Sequence, residues 1–175
     1  MTNTLSKSAG VTDVLAGKYL TFTLQSESYG ISVLKVREII RVANITVVPQ
    51  MPPYIRGVIN LRGKIIPVMD LRLRFEFPNV VDDEHTCMVV VQVRLPDGKI
   101  TPMGLVVDGM EEVINITAAD IEATPDFGGQ ICTDYIVGIA KVRGAVKALL
   151  DIDGVVGADT LKKLSKLAAQ PALQP

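Results

Sequence analysis

Apolar and polar residues alternate along much of this chain, and this pattern predicts half-buried β-strands. In residues 17–25, Leu20, Phe22 and Leu24 fall on one face of such a strand, with a tyrosine and threonines on the other. Residues 87–95 repeat the alternation, mostly with valines. About ten short strands at regular spacing predict an all-β fold. Small closed barrels fit it, because closure removes exposed strand edges.

The stretch 54–72, YIRGVINLRGKIIPVMDLR, predicts two strands joined by a tight turn at Arg62-Gly63. Glycine at the second central position of such a turn permits positive φ without steric cost. Pro67 has no N–H, so we expect the second strand to lie at a sheet edge or to carry a local break. Asp70 is placed to cap the helical turn that follows.

This stretch occurs twice. Residues 135–152, YIVGIAKVRGAVKALLDI, align without a gap on residues 54–71. A second pair of blocks, 29–40 and 103–114, aligns in the same order. Such a repeat predicts two similar lobes, with the polar segment 76–86 as the junction between them. Chance similarity between β-hairpins is the alternative.

Three regions divide the chain. Residues 1–16 are expected to be a disordered tail, 17–155 to form the body, and 156–175 to form a C-terminal helix and tail. The helix is predicted over residues 160–169, because three leucines share one face and lysines occupy the other. The inward leucines are Leu161, Leu164 and Leu167. We expect this helix to pack on the body, since it is short for a membrane-surface helix.

Composition excludes several classes of function. The chain has 175 residues, enough to bury a core without disulfides or metals. A formal net charge of −1 argues against a general nucleic-acid binder. The absence of Trp and a 5% aromatic content argue against an oligonucleotide-binding barrel. No apolar run is long enough to span a membrane and the N-terminus does not read as a signal peptide, so a cytoplasmic location is expected.

Candidate chemistry is sparse. His85 is the single histidine and falls in a predicted loop, and the two cysteines lie far apart without metal-ligand spacing. The acidic run 82–84 reads as a solvated loop rather than a calcium site. No serine stands in a nucleophile-elbow context, and Gly128-Gly129 lacks the lysine of a phosphate-binding loop. We therefore expect no enzyme, cofactor or metal.

Three blocks of the sequence closely resemble the CheW family, the coupling proteins of bacterial chemotaxis. They are residues 29–39, 56–72 and 104–114, in the family's order, and the NLRG turn with its following Asp-Leu-Arg is the most specific. The resemblance covers residues 17 to about 165. It implies two five-stranded SH3-like barrels around a shared apolar seam.

The resemblance also implies a non-catalytic scaffold that couples the cytoplasmic tips of methyl-accepting chemoreceptors to the regulatory domain of the histidine kinase CheA. Such a protein would work in the cytoplasm, at the inner face of the membrane, through receptor arrays. Two alternatives stay open: a coupler for a chemotaxis-like pathway controlling pili or biofilm, and a small-ligand or oligonucleotide-binding barrel.

The resemblance assigns roles to residues of this chain. Five match family positions tied to receptor binding: Val33, Val36, Glu38, Gly57 and Arg62. Three match kinase or ring contacts: Gly63 and Ile65 in the first lobe, and Phe127 in the second.

Three further expectations concern these positions. Glu38 and Arg62 are expected to pair and to hold the receptor-facing surface in shape. Glu122 stands where some family members carry a basic residue, a departure that argues against the polar part of the ring contact in the second lobe. Phe127 either plugs the second barrel or anchors a partner.

Overall fold

The computed structural model describes residues 14–42, 44–122 and 135–168, and only the backbone of residues 165–168. Eleven strands and three α-helices have both ends in these ranges, and Val14 and Leu15 are also helical. The strands are β1 (Gly17–Leu24), β2 (Glu27–Ser32), β3 (Val36–Arg41), β4 (Ile55–Leu61), β5 (Lys64–Asp70), β6 (Cys87–Arg94), β7 (Ile100–Val107), β8 (Gly109–Ile116), β9 (Ile121–Glu122), β10 (Ile136–Val142) and β11 (Ala145–Leu150). The helices are α1 (Leu71–Arg74), α2 (Ile152–Val156) and α3 (Ala158–Ala168).

Two sheets account for all these strands. Lobe 1 is the five-stranded sheet β3-β6-β7-β5-β4, and lobe 2 is the six-stranded sheet β8-β1-β2-β11-β10-β9. One pair in each lobe is parallel, β5 with β7 and β11 with β2, and the other pairs are antiparallel. In lobe 1, Thr46 adds a bridge to Val58 beside the edge strand β4. The all-β prediction of two SH3-like lobes is confirmed.

The two sheets exchange strands. Lobe 1 contains β3, β4 and β5 from the first repeat and β6 and β7 from the second. Lobe 2 contains β1 and β2 from the first repeat and β8, β10 and β11 from the second. The segment 76–86 therefore connects α1 to a strand of the same lobe. This corrects the expectation that 76–86 joins one lobe to the other. The reason is that the first hairpin of each repeat pairs with the third strand of the other repeat.

The repeated hairpins have the same turn. Arg62 and Gly63 have φ of 51° and 85°, and Arg143 and Gly144 have φ of 52° and 79°. Positive φ at both central residues is the geometry of a type I′ turn, whose twist matches that of the flanking strands. Arg62 and Arg143, which the gapless alignment places at equivalent positions, therefore occupy equivalent turns.

Pro67 lies in an inner strand rather than at an edge, because β5 pairs with both β4 and β7. The pairing with β7 begins only at Val68. Opposite Pro67, Val58 exchanges its backbone hydrogen bonds with Thr46 instead of with β5. The missing N–H of Pro67 therefore removes no bond from the β4–β5 ladder.

The largest apolar cluster lies between the lobes. It includes Phe22, Met69, Val91 and Leu105, which are fully or almost fully buried. Two smaller clusters fill the lobes themselves, around Ile66 and Met88 in lobe 1 and around Tyr19 and Leu149 in lobe 2. The apolar seam between the lobes thus makes one body of them.

The C-terminal helix α3 packs on this seam. Leu161 and Leu164 are buried and belong to the central cluster, while Lys162 and Lys163 are exposed. This confirms the inward leucine face for those two residues. The side chain of Leu167 lies outside the described residues.

Candidate interaction surfaces

The ion pair between Glu38 and Arg62 bridges two elements of lobe 1. The Arg62 guanidinium donates to both Glu38 carboxylate oxygens, at 3.1 and 2.8 Å. Arg62 stands in the β4–β5 turn and is 76% exposed, whereas Glu38, on β3, is 25% exposed. The Asn60 side chain accepts from the Gly63 N–H at 2.9 Å and orders the same turn. The structure therefore brings these two predicted site residues together.

Lobe 2 carries a looser copy of this pair. The side chains of Arg143 and Glu112 approach to 3.6 Å, and both are more than 40% exposed. The two residues align with Arg62 and Glu38 in the repeat blocks. Sequence reasoning missed the second pair, although the aligned blocks contained the signal.

A groove of about 580 Å³ opens beside the first pair. Ile66 and Val90 are buried in its floor, and Arg37, Arg62 and Lys64 also line it. Because Glu38 offsets only one of these three cations, the groove presents net positive charge beside apolar surface. This arrangement suits a partner that offers apolar side chains next to carboxylates.

Gly57 has a structural reason to be glycine. Its φ is 143°, and a Cβ placed there would lie 1.9 Å from the carbonyl oxygen of Thr46. Thr46 and Val58 exchange both backbone hydrogen bonds at this point, at 2.9 and 2.8 Å. Gly57 therefore allows the segment after β3 to pack on β4, and it supports the surface rather than forming it.

The remaining first-lobe positions differ in exposure. Val33, in a short 3-10 turn, and Val36, at the start of β3, are half-buried against the central cluster. Ile65 is 55% exposed, beside the turn that contains Gly63. Its repeat partner Val146 is 56% exposed. An exposed apolar side chain next to the turn is thus a feature of both lobes.

The second-lobe positions are less defined. Phe127 lies outside the described residues. Glu122, on β9, is exposed and pairs with Lys141 of β10 at 2.9 Å. Glu122, which departs from the family pattern, therefore forms its ion pair within its own lobe.

Arg72 is buried, with 1% exposure, at the centre of a polar network. It makes five hydrogen bonds to side chains of three aspartates and to one carbonyl: Asp70, Asp82, Asp108 and the carbonyl of Val81. Burial alone lowers the pKa of Arg72, but the hydrogen bonds that Arg72 donates to Asp70 and Asp82 outweigh burial and hold that pKa above its ordinary value.

The segment around the acidic run is attached by this network. Asp82 accepts from Arg72 at 2.6 Å and pairs with Arg56 at 3.1 Å. Asp82 is exposed and lies in a loop, as the sequence predicts, but its carboxylate is also held by these two arginines. The sequence places Asp82 beside other carboxylates, and only the fold places it beside two arginines.

Ordinary site chemistry is sparse in the part of the chain that the structure describes. There, no three His, Cys, Asp or Glu side chains form a group that could hold a metal ion. His85 is 75% exposed beside Glu84. Burial raises the pKa of the Cys87 thiol, which disfavours a reactive thiolate. No helix in the described ranges is both long and apolar enough to cross a membrane.

Comparison with known proteins identifies the family. The CheW-like domain family matches residues 18–159. This chain belongs to the CheW family. The chemotaxis protein CheW of Klebsiella aerogenes is 35% identical over 165 residues, which cover 94% of this chain and 95% of that protein. The chemotaxis protein CheW of Bacillus subtilis is 34% identical over 140 residues, covering 79% and 86%.

A solved structure agrees with the fold. The scaffolding protein TtCheW of Thermoanaerobacter tengcongensis superposes with a TM-score of 0.72 at 32% identity, covering 83% of this chain and 95% of that one. The resemblance to the CheW family inferred from the three sequence blocks is confirmed. These relatives do not favour the alternative of a ligand- or oligonucleotide-binding barrel.

Proposed function

We propose that this chain is a chemotaxis coupling scaffold that joins chemoreceptors to the histidine kinase CheA. The observation that carries the proposal is the Glu38–Arg62 pair, which stands over a basic and apolar groove in a chain of the CheW family. A groove of this kind suits a protein partner, and no catalytic constellation accompanies it among the described residues. We infer a non-catalytic role, in the cytoplasm at receptor arrays.

The receptor contact is proposed at Val33, Val36, Glu38 and Arg62, with Gly57 in a supporting role. The bidentate pair supports this, because it fixes the turn against β3 and so defines the shape of the surface. The half-buried Val33 and Val36, which pack on the central cluster, supply apolar area without exposing a large patch.

The kinase contact is proposed at Gly63 and Ile65. Ile65 is an exposed β-branched side chain on an ordered strand, so it can bind without losing much conformational entropy. A second contact at Phe127 is proposed from the family resemblance alone.

Co-sedimentation with receptor-containing membranes and purified CheA tests the proposal. Ile65→Asp is expected to lower kinase recruitment at least tenfold while leaving receptor binding intact. Val146→Asp makes the same change at the equivalent position of lobe 2. It is the matched control and is expected to keep kinase recruitment through lobe 1. If both variants recruit kinase as the wild type does, the kinase assignment is wrong.

Phe127→Ala separates the two roles left open for that residue. An anchor lost to alanine leaves the melting temperature nearly unchanged and leaves kinase bound through lobe 1, but extended arrays fail to form. If Phe127 instead plugs the second barrel, Phe127→Ala costs about 3–5 kcal/mol of folding stability, and receptor and kinase binding fall together. A thermal melt beside a co-sedimentation assay distinguishes them.

A further inference from the structure

Because the chain contains an internal repeat, a helix that covers the apolar seam beside one repeat is expected to have a counterpart beside the other. The helices α1 and α2 occupy equivalent places, and each is capped by an aspartate that accepts from a backbone N–H two residues on. Positive φ follows at equivalent residues, 61° at Glu76 and 84° at Gly157. Beyond this point the two repeats diverge.

In the second repeat the chain continues as α3 and covers the seam. The hydroxyls of Thr160 and Tyr54 are 2.7 Å apart, which attaches the first turn of α3 to the start of the hairpin. Ile55 and Met103 share the central cluster with the leucines of α3, and they are 7% and 0% exposed.

In the first repeat no helix follows. Residues 77–86 form neither helix nor strand, and Asp82 is attached to Arg72 and Arg56 instead. The repeat partners of Ile55 and Met103 are Ile136 and Tyr29, and both are only half-buried. A groove of about 370 Å³ opens there. Its lining includes Phe75, Phe77 and Tyr135.

Arg74 gives this groove a charge. Its guanidinium carbon lies 4.9 Å from the ring centres of both Tyr54 and Tyr135, and its Nε donates to the carbonyl of Val155 at 2.8 Å. Arg74 is half-buried, and within the described ranges no carboxylate lies close enough to form an ion pair with it. Glu76, which also lines the groove, is exposed.

We propose that this groove binds an amphipathic helix of a partner protein, with leucine-type side chains facing Phe75 and Tyr135 and a carboxylate facing Arg74. The internal counterpart α3 supports a helix with paired leucines, because it covers the equivalent surface of the other repeat. The guanidinium supports the carboxylate, because a half-buried cation without an anion gains most from one. The inference does not depend on the receptor and kinase assignments of lobe 1.

Binding of a designed peptide tests this proposal. The probe is an alanine-based helical peptide with two leucines spaced as Leu161 and Leu164 are and one glutamate beside them; its twin carries lysine for glutamate. Titration into the ¹⁵N-labelled full chain is expected to give saturable shifts confined to the amides of Phe77, Tyr135 and Ile136. The lysine twin is expected to bind at least fivefold more weakly.

Charge reversal completes the test. Arg74→Glu is expected to prefer the lysine peptide, while Lys99→Glu, the same change at an exposed turn, keeps the preference of the wild type. If Arg74→Glu does not give a folded spectrum, Phe77→Ala carries the test and is expected to weaken both peptides about tenfold. Equal affinity of both peptides for the wild type, or shifts spread outside the groove, overturns the proposal. Concentration-dependent dimers of the wild type that Phe77→Ala abolishes also overturn it, in favour of a second copy.

Discussion

At the scale of single residues, Arg62 stands at a position that disfavours it. A type I′ turn favours Asn, Asp or Gly at its first central place, and a larger side chain with φ of 51° costs about 1–3 kcal/mol. The exposed pair with Glu38 returns only about 0–1 kcal/mol. Turn stability therefore does not explain Arg62, which is in keeping with the receptor contact proposed for it above.

Arg62→Asn tests this separation of stability from binding. The free energy of unfolding is expected to change by less than about 1 kcal/mol, because a preferred turn residue offsets the lost ion pair. Receptor binding is expected to fall at least fivefold. Arg143→Asn makes the same change in the turn of lobe 2 and is expected to keep receptor binding. A marked loss of stability with unchanged binding would assign Arg62 to the fold.

Arg72 presents the opposite case, a charge that the fold requires. Leaving the buried Asp70 without this cation costs about 3–5 kcal/mol. Arg72→Met is therefore expected to lower the free energy of unfolding by that order, measured by urea denaturation. Arg94→Met, at an exposed strand end, is the control and is expected to stay within about 0.5 kcal/mol of the wild type. If Arg72→Met lowers the free energy of unfolding by less than about 1 kcal/mol, the Arg72 network does not stabilise the fold.

The same network makes stability depend on pH. Burial raises the pKa of Asp82. The hydrogen bond from Arg72 and the charge of Arg56 lower this pKa by more than burial raises it, so it lies below the ordinary value. The contribution of Asp82 is complete above its unfolded pKa of about 3.9 and is lost as the pH falls through the folded value.

Asp82→Asn is accordingly expected to melt below the wild type at pH 7, with the difference shrinking below about pH 4. Glu84→Gln, which removes an exposed carboxylate two residues away, is expected to leave the pH profile unchanged. A constant difference between Asp82→Asn and the wild type from pH 7 to pH 3 would exclude this ionisation as the cause.

At the scale of elements, two equivalent glycines are constrained differently. A Cβ at Gly57 would overlap the Thr46 carbonyl at 1.9 Å and would sit at positive φ, whereas a Cβ at Gly138 would meet Ile121 at 3.1 Å without positive φ. The approach of the segment after β3 to β4 is therefore closer than the corresponding approach in lobe 2. Backbone atoms cannot yield at the first site, but a side chain can at the second.

Gly57→Ala is expected to cost about 3 kcal/mol of stability and Gly138→Ala about 1 kcal/mol, both measured by thermal or urea unfolding. The two variants control for the loss of glycine itself, because both residues lie in the first strand of a repeated hairpin. Equal costs would mean that the segment after β3 can move away from β4.

At the scale of the whole molecule, the exchange of the hairpins β1–β2 and β6–β7 between the two sheets makes the lobes interdependent. Each lobe needs strands from both halves of the chain. Residues 1–80 and 81–175, expressed separately, are therefore expected to lack the cooperative unfolding of the full chain. Mixed in equal amounts, they are expected to restore native-like amide spectra. A half that unfolds cooperatively by itself would show that one repeat suffices for a lobe.

The sequence by itself determined the elements of this protein. Alternation of apolar residues predicts the strands, Arg62-Gly63 and Arg143-Gly144 predict the turns, and Asp70 predicts a cap, because each depends on neighbours along the chain. The aligned blocks also carried the family, and with it the expected pairing of Glu38 and Arg62.

Only the tertiary structure decided how the repeats share their strands, why Gly57 is glycine, and that Asp82 is held by Arg72 and Arg56. It also decided that α3 covers one half of the seam, whereas residues 77–86 form no helix over the equivalent surface of the other half. These features depend on contacts between residues far apart in the chain. Local patterning is the same for a strand whichever sheet it joins, so it cannot specify them.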